Sequence, residues 1–202
     1  MKLVFTWIQW CGKWTQARLL VEKYGFTLLE MWQALREISK EDSELWRLVK
    51  ETQEAWILVS PEIVCEIMKE TIAKQTNENL ILDWFVRNPW NKECIESIIP
   101  DYKVVFFNLS KEKAIDRLLG RMYNPKTGET FPSNIKIDPI TWDELIKRKD
   151  DNEESILKRI DEYMNSTLPT ANIQKEEWKV IEINADQSIT EVWKEMVEKL
   201  GL

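Results

Sequence analysis

The chain has 202 residues, of which 44% are hydrophobic and 31% charged, and its formal net charge is −7 at pH 7. This composition predicts one globular domain with a sizeable core, and the negative charge argues against broad non-specific binding of nucleic acid. No apolar run reaches the roughly 18 residues of a membrane-spanning helix, and the short apolar run after Met1 predicts a strand rather than a signal peptide, so we expect a cytoplasmic protein that binds no membrane.

Strands and helices are predicted to alternate along the chain. A buried strand is predicted over residues 3–6, followed by a helix over 13–24 that ends at Gly25. The other predicted helices cover residues 28–36, 43–54, 61–74, 111–119, 144–163 and 189–200, and the other predicted strands cover 80–83, 104–108 and 179–183. Residues 120–141 are polar, lack a helical period and predict a small β-rich excursion. The pattern favours an α/β doubly wound fold with a parallel sheet covered on both faces.

Cysteine and histidine usage excludes several chemistries. Cys11, Cys65 and Cys94 show no C-x-x-C spacing, and they predict reduced thiols rather than a disulfide framework or a zinc site. The sequence contains no histidine, which excludes Ser-His-Asp, Cys-His and His-metal sites.

A candidate phosphate-binding loop lies between the first predicted strand and the first predicted helix. A Walker A loop has the pattern G-x-x-x-x-G-K-[ST], in which glycines let backbone N–H groups surround phosphate oxygens and lysine supplies a positive charge. Residues 7–17 read W-I-Q-W-C-G-K-W-T-Q-A, so Gly12 and Lys13 are present. Glycine at the three tryptophans of this segment would give G-I-Q-G-C-G-K-G-T-Q-A, the adenylate kinase form of the loop. On this segment alone, a chance Gly-Lys dipeptide beside core tryptophans remains the alternative.

Four further motifs extend the resemblance to the adenylate kinases, which are P-loop nucleoside-monophosphate kinases, over the whole chain. Residues 83–87 read D-W-F-V-R and resemble the family's D-G-F-P-R, and residues 56–59 read W-I-L-V and resemble G-x-L-V. Residues 117–121 match R-x-x-G-R, and residues 148–151 match R-x-D-D. The resemblance implies a three-layer P-loop fold, with a five-stranded parallel sheet flanked by helices, a helical monophosphate-binding insertion and a small β-rich lid. It divides the single domain into a core (1–29, 60–119, 152–202), a monophosphate-binding segment (30–59) and a lid (120–151).

The resemblance also implies which residues bind the substrates, ATP and AMP. The catalytic set consists of basic residues that would converge on phosphates: Lys13, Arg87, Arg121, Arg148 and Arg159. The ATP-binding set is Trp10, Cys11, Gly12, Lys13, Trp14, Thr15, Arg117, Arg121, Thr130, Phe131 and Gln187. The AMP-binding set is Met31, Arg36, Ile57, Leu58, Val59, Trp84, Phe85, Val86, Arg87, Asn91, Arg148 and Arg159. For each arginine taken alone, a solvated helix face is the alternative.

The implied activity is reversible phosphoryl transfer, ATP + AMP ⇌ 2 ADP, by a monomer that takes Mg²⁺ with ATP. No residue is expected to bind the metal directly, and Asp83 would orient it through water. The lid contains no cysteine, which excludes the zinc-bearing variant. Asp150 and Asp151 are expected either to serve the site or, equally, to be structural residues that hold the lid arginines and cap a helix, and general-base catalysis by them is not expected. Asn91 replaces the usual glutamine at the adenine, which weakens the assignment of AMP as acceptor. UMP or CMP as acceptor is the further alternative, although the full-length lid argues against it.

Tryptophan and glycine occur in an inverted ratio. The sequence has eleven tryptophans and five glycines, whereas glycine usually makes up about 7% of residues. Ten of the tryptophans fall where the family or the turn context predicts glycine, and we call these the ten candidate glycine positions: Trp7, Trp10, Trp14, Trp32, Trp46, Trp56, Trp84, Trp90, Trp142 and Trp178. Trp193 is expected to be a genuine apolar helix residue. One hypothesis is that UGA codons, read as glycine in some bacterial lineages and as tryptophan in others, were translated with the wrong table. The alternative is engineering, which would leave a catalytically inactive scaffold that binds at most an apolar ligand.

Overall fold

The computed structural model describes residues 1–8, 11–38, 47, 60–127, 129–147 and 151–202, without the side chain of Arg36. The predicted helix over 43–54 therefore lies outside the described residues, apart from Arg47, which is helical. Within the described ranges no helix is long and apolar enough to cross a bilayer.

In the ranges that the structure describes, seven strands form two sheets. In chain order they are β1 (Lys2–Trp7), β2 (Thr27–Glu30), β3 (Leu80–Asp83), β4 (Lys103–Asn108), β5 (Met122–Tyr123), β6 (Thr130–Phe131) and β7 (Val180–Asn184). Five of them form a parallel sheet in the order β2-β3-β1-β4-β7, and β5 pairs with β6 in a small antiparallel sheet. The predicted five-stranded parallel sheet is confirmed.

Eight α-helices surround the sheet in the described part of the chain. They are α1 (Lys13–Tyr24), α2 (Met31–Ile38), α3 (Pro61–Ala73), α4 (Pro89–Ile98), α5 (Lys111–Gly120), α6 (Glu153–Glu162), α7 (Leu168–Glu176) and α8 (Ile189–Leu200), with a π-helical turn at Tyr163–Thr167. Five of these helices begin directly after a serine or asparagine whose side chain accepts a backbone N–H bond from the first turn, namely Ser60, Asn88, Ser110, Asn152 and Ser188.

Alternate residues of the central strand face two hydrophobic cores. Leu3 and Phe5 of β1 belong to a cluster with α1, α5, α6 and α8, whereas Val4 belongs to a cluster with α2, α3 and α4. Successive side chains of a strand point to opposite faces of the sheet, and both faces are covered here. The sheet is therefore the middle layer of three, as predicted.

Two predicted helices differ from the structure. The helix predicted over 28–36 is wrong at its start, because Thr27–Glu30 pairs with β3 and the helix begins only at Met31. The helix predicted over 144–163 is wrong in its first half, because Glu144 and Ile146 make isolated β-bridges within the 120–151 segment. The helix there begins at Glu153, after the asparagine cap. In both places β-type pairing overrides the local helical pattern.

The prediction of three reduced thiols is wrong for two of the cysteines. Cys65 on α3 and Cys94 on α4 form a disulfide, with their Cα atoms 5.7 Å apart, and only Cys11 is a free thiol. No local spacing signals this bond, because it depends on the packing of α3 against α4.

Candidate active site

The predicted phosphate loop lies at the carboxyl edge of the parallel sheet. β1 ends at Trp7 and α1 begins at Lys13, so the intervening residues cross this edge. β1 has β3 on one side and β4 on the other, and a ligand of an open α/β sheet binds outside the carboxyl ends of strands at such a switch in strand order. Gly12 has a φ of 87°, a left-handed conformation that explains the need for glycine directly before α1.

Lys13 and Asp83 form a buried ion pair at this edge. The Lys13 Nζ lies 2.5 Å from each carboxylate oxygen of Asp83, the last residue of β3. Burial lowers the pKa of Lys13 below its usual value and raises the pKa of Asp83 to about 6, because it disfavours both charged forms more than the pair's attraction favours them. Asp83 is still ionised at pH 7, so the edge of the sheet presents a lysine held in place by a carboxylate.

The other described members of the loop differ in exposure. Cys11 is buried, and burial raises the pKa of its thiol to about 12, so it stays protonated and unreactive at neutral pH. Gly12 and Trp14 are exposed and Thr15 is half-buried. The described part of the loop therefore offers a positive charge and backbone groups to a ligand.

Two tryptophans enclose the Lys13 ammonium. Its Nζ lies 3.2 Å from the ring centroid of Trp7 and 5.9 Å from that of Trp84, and the two indoles stack at a centroid distance of 6.2 Å. Both indoles also line a cavity of about 20 Å³, enough for a single water. The buried hydroxyl of Thr6 lies on the same lining and has no hydrogen-bond partner in the described residues. The indoles thus occupy the space in front of the lysine.

Arg87 lies between β3 and α4, two residues before α4 begins at Pro89. Its guanidinium carbon lies 4.5 Å from the Trp84 ring centroid, and Nη2 donates to Glu162 at 2.7 Å. The Arg87 backbone N–H donates to the side-chain oxygen of Asn91 at 3.3 Å, and its carbonyl accepts from the hydroxyl of Ser166 at 2.9 Å. Asn91 therefore fixes the backbone of Arg87, a role that its replacement of the family glutamine did not suggest.

Asp151 brings two of the predicted catalytic arginines together. Arg121 donates to it through Nε and through Nη2, the latter at 2.5 Å, and Arg159 donates through Nη2 at 3.3 Å. The Asp151 side chain is only 1% exposed. A carboxylate that accepts from both guanidinium groups in this way holds them, which favours the structural reading of Asp151. Asp150 lies outside the described residues.

The remaining described ATP-binding candidates lie in two places, beside the end of β7 and in the small antiparallel sheet. Both terminal nitrogens of Arg117 donate to the carbonyl of Ala185, directly after β7, at 3.3 Å. Gln187 follows and donates to Glu195 on α8. Thr130 and Phe131 form β6 and are half-buried.

The described AMP-binding candidates are mainly buried. Met31, Phe85 and Val86 belong to the core cluster between the sheet and α2 to α4, so their side chains pack inside the protein and only their backbones remain for a ligand. The following predicted site residues lie outside the described residues: Trp10, Ile57, Leu58, Val59, Arg148 and the side chain of Arg36. Their assignments stay predictions.

Sequence reasoning missed a polar network that holds the 120–151 segment together. The Asn124 side-chain nitrogen donates to Asp138 at 2.8 Å, to Thr141 at 2.9 Å and to Asp143 at 3.3 Å. Asn124 and Asp138 are fully buried, and the bond from Asn124 lowers the pKa of Asp138 to about 2. The only sequence signal was the polar, turn-rich composition of this segment, which has no helical period.

The edge of this parallel sheet presents a lysine on a helix N-terminus, a carboxylate paired with it, and several arginines. Such an edge is typical of α/β proteins that bind nucleotides and transfer phosphoryl groups. A sequence model of the adenylate kinase family matches residues 9–178. An adenylate kinase of Alkaliphilus oremlandii is 31% identical over all of this chain and 99% of its own length, and adenylate kinases of Caldicellulosiruptor bescii and Bacillus velezensis are 28% and 29% identical over all of this chain. The chain belongs to the adenylate kinase family, whose members are phosphotransferases, and the comparisons do not favour an inactive scaffold or a UMP/CMP kinase.

Proposed function

We propose that this chain catalyses ATP + AMP ⇌ 2 ADP, with Lys13 as the residue that contacts the transferred phosphoryl group. In this step the AMP phosphate oxygen forms a bond to the γ-phosphorus of ATP. The bond from that phosphorus to the β–γ bridging oxygen breaks, and its electron pair stays on the ADP that leaves. The observation that carries the proposal is the position of Lys13, which lies at the sheet edge on the first turn of α1 and is held by Asp83.

Lys13 and the arginines would supply charge and position rather than covalent chemistry. In phosphoryl transfer negative charge is spread over the oxygens of the transferred group, so catalysis depends on neutralising that charge and on aligning the attacking and leaving oxygens. Arg121 and Arg159 are pre-positioned by a shared carboxylate, and Arg87 by its ion pair with Glu162. When substrates bind, their phosphate oxygens would replace these carboxylates as hydrogen-bond acceptors, so each guanidinium group would keep a charged partner.

The magnesium that accompanies ATP fits this set of donors. Among the described residues no three acidic, cysteine or histidine side chains gather into a metal cluster, and Asp83 is a single hard-oxygen donor at the end of β3. Mg²⁺ usually keeps several waters and takes one or two carboxylates with substrate phosphates, so one carboxylate acting through water suffices. When bound, the metal offsets negative charge on the phosphate oxygens.

The proposed division into a core, a monophosphate-binding segment over 30–59 and a lid over 120–151 rests on separate features. The small antiparallel sheet and the Asn124 network lie within the proposed lid. An ion pair of 2.9 Å from Arg18 on α1 to Glu129 links this segment to the core. Closure of the segment over the nucleotides would exclude water, which would otherwise accept the phosphoryl group. We further propose that the enzyme is a cytoplasmic monomer.

A thermal-shift experiment separates an active kinase from a scaffold that binds no nucleotide. The protein to test is the glycine-restored chain, which carries glycine at all ten candidate glycine positions. ATP or a bisubstrate dinucleotide at 100 times its Kd is expected to raise the free energy of unfolding by about 2.7 kcal/mol. Lys13→Met is expected to abolish most of this rise, whereas Lys23→Met, an exposed lysine on the same helix, leaves it intact. No ligand-dependent shift in the glycine-restored chain would contradict the proposal.

The acceptor is tested by comparing AMP with UMP and CMP. We expect kcat/KM to be highest with AMP, because the comparisons and the lid of full length point to an adenylate kinase. Restoring the longer side chain by Asn91→Gln tests the adenine contact, with the AMP to CMP ratio of kcat/KM as the measurement. A higher kcat/KM with UMP or CMP than with AMP would assign the chain to the other nucleoside-monophosphate kinases.

A further inference from the structure

The backbone of this chain adopts glycine conformations at tryptophan residues. The described residues contain three non-glycine positions with positive φ, and all three are tryptophans: Trp84 at 67°, Trp142 at 61° and Trp178 at 59°. Tryptophan accounts for 11 of 202 residues, and all three positions belong to the ten candidate glycine positions. We infer that the natural gene product carries glycine at these ten positions, through codons that its host reads as glycine.

The end of α7 gives the clearest case, because the same chain contains a matching helix end. The N–H of Trp178 donates to the carbonyl of Lys175 at 3.1 Å, and the next N–H donates to the carbonyl of Gln174 at 3.1 Å. At the end of α8 the N–H of Gly201 donates three residues back at 3.2 Å, and the next N–H donates five residues back at 3.1 Å. Gly201 has a φ of 70°. This two-bond helix end places a left-handed residue at the position of Trp178, and glycine is the usual occupant.

Trp142 closes a turn that also demands a left-handed residue. Its N–H donates to the carbonyl of Asp138 at 2.9 Å, and the Asp138 carboxylate accepts the N–H groups of Ile140 and Thr141. These bonds fix the backbone direction of the turn independently of the Trp142 side chain, which is 79% exposed. The indole therefore gains no packing that would offset its conformational strain.

Trp84 and Trp7 add a steric argument at the sheet edge. Trp84 follows Asp83 directly at positive φ, and its ring stacks on Trp7 over the Lys13 ammonium. Removal of both rings would uncover the Lys13 ammonium, which now lies 3.2 Å from the Trp7 ring centroid and 5.9 Å from that of Trp84. Glycine at position 84 would adopt the positive φ without strain, and glycine at position 7 would remove the indole that covers the Lys13 ammonium.

Side-chain exposure supports glycine at the candidate positions that lie on helices as well. Six of the seven candidate glycine positions in the described ranges have exposed indoles: Trp14, Trp32, Trp84, Trp90, Trp142 and Trp178. Tryptophan is highly buried on average in folded proteins. Trp193, which lies outside the set, instead packs against the core and lies 6.1 Å from the ring of Tyr24. Among the described tryptophans, the six exposed ones all belong to the candidate glycine positions, whereas Trp193 packs against the core.

Peptide mass spectrometry of the protein purified from its native host tests the inference directly. Peptides that span positions 84, 142 and 178 are expected to have the masses of glycine-containing peptides, while the peptide with Trp193 keeps the tryptophan mass. Sequencing of the gene provides the matching control, with UGA expected at the ten positions and UGG at 193. Tryptophan masses at positions 84, 142 and 178, or UGG codons at the ten positions, would overturn the inference.

Discussion

Replacing Trp178 with glycine in the chain as written is expected to stabilise it, although the change removes a large side chain. A left-handed conformation costs an L-residue about 1–2 kcal/mol, whereas glycine loses about 0.5–1 kcal/mol more backbone entropy on folding. The indole is 89% exposed, so little buried contact is lost. The balance is a gain of about 1 kcal/mol, or about 2–4 °C in Tm for a chain of this size.

Urea and thermal unfolding of three variants test this balance. Trp178→Gly should be more stable than both the chain as written and Trp178→Ala, because alanine keeps the Cβ that disfavours positive φ. Gly201→Ala, at the matching helix end, should lose about 1 kcal/mol for the same reason. The reasoning is refuted if Trp178→Gly is no more stable than Trp178→Ala.

Three further perturbations probe the buried charges and the disulfide. Asp151→Asn should lower the free energy of unfolding by about 3 kcal/mol, because it removes the buried carboxylate that two arginines share. Glu22→Gln, which breaks an exposed ion pair, should lower it by less than about 1 kcal/mol. Equal losses of the two variants in urea unfolding would contradict this. The disulfide closes a separation of 29 residues, so Cys65→Ser or Cys94→Ser should lower the free energy of unfolding by about 3–4 kcal/mol without reductant. Dithiothreitol should lower the urea midpoint of the parent chain to that of the variants. A parent midpoint that does not change with dithiothreitol would exclude the bond. Burial raises the pKa of Asp83 to about 6, above its unfolded value of 3.8, so the chain as written should become more stable as the pH falls from 6 toward 4. In the glycine-restored chain this carboxylate should be less buried, and the rise in stability over the same pH range should be smaller. An equal rise in both chains would count against the role of the indoles in burying Asp83.

The sequence predicts the elements that depend on local pattern. The first strand, Gly12-Lys13 and α1 follow one another within a few residues, so composition and order alone predict a loop at the sheet edge. β4 and β7 are apolar runs without competing helical spacing, and the structure confirms strands there. The tryptophan-to-glycine ratio is also a sequence signal, and the three positive φ angles fall at tryptophans that this signal singles out.

The sequence does not predict features that depend on distant neighbours. Thr27–Glu30 becomes a strand because β3 lies beside it, although its residues also fit the start of a helix. Lys13 meets Asp83 across 70 residues, and Arg121 meets Asp151 across 30, so neither ion pair leaves a mark on local spacing. The disulfide and the Asn124 network likewise arise from packing between segments. The family resemblance named the basic residues, but only the folded chain shows which carboxylate holds each of them.

The most direct test of the account is ADP formation from ATP and AMP by the glycine-restored chain, followed by a coupled spectrophotometric assay. We expect two ADP per ATP consumed, a requirement for both nucleotides, and a fall in kcat of at least about 100-fold in the same chain with Lys13→Met, since loss of a charge stabilising the transition state costs on that order. Lys23→Met, the control on the same helix, should leave the rate unchanged. A folded glycine-restored chain that binds ATP yet forms no ADP, or one whose rate is indifferent to Lys13→Met, would contradict the assignment of Lys13 and of phosphoryl transfer to this site.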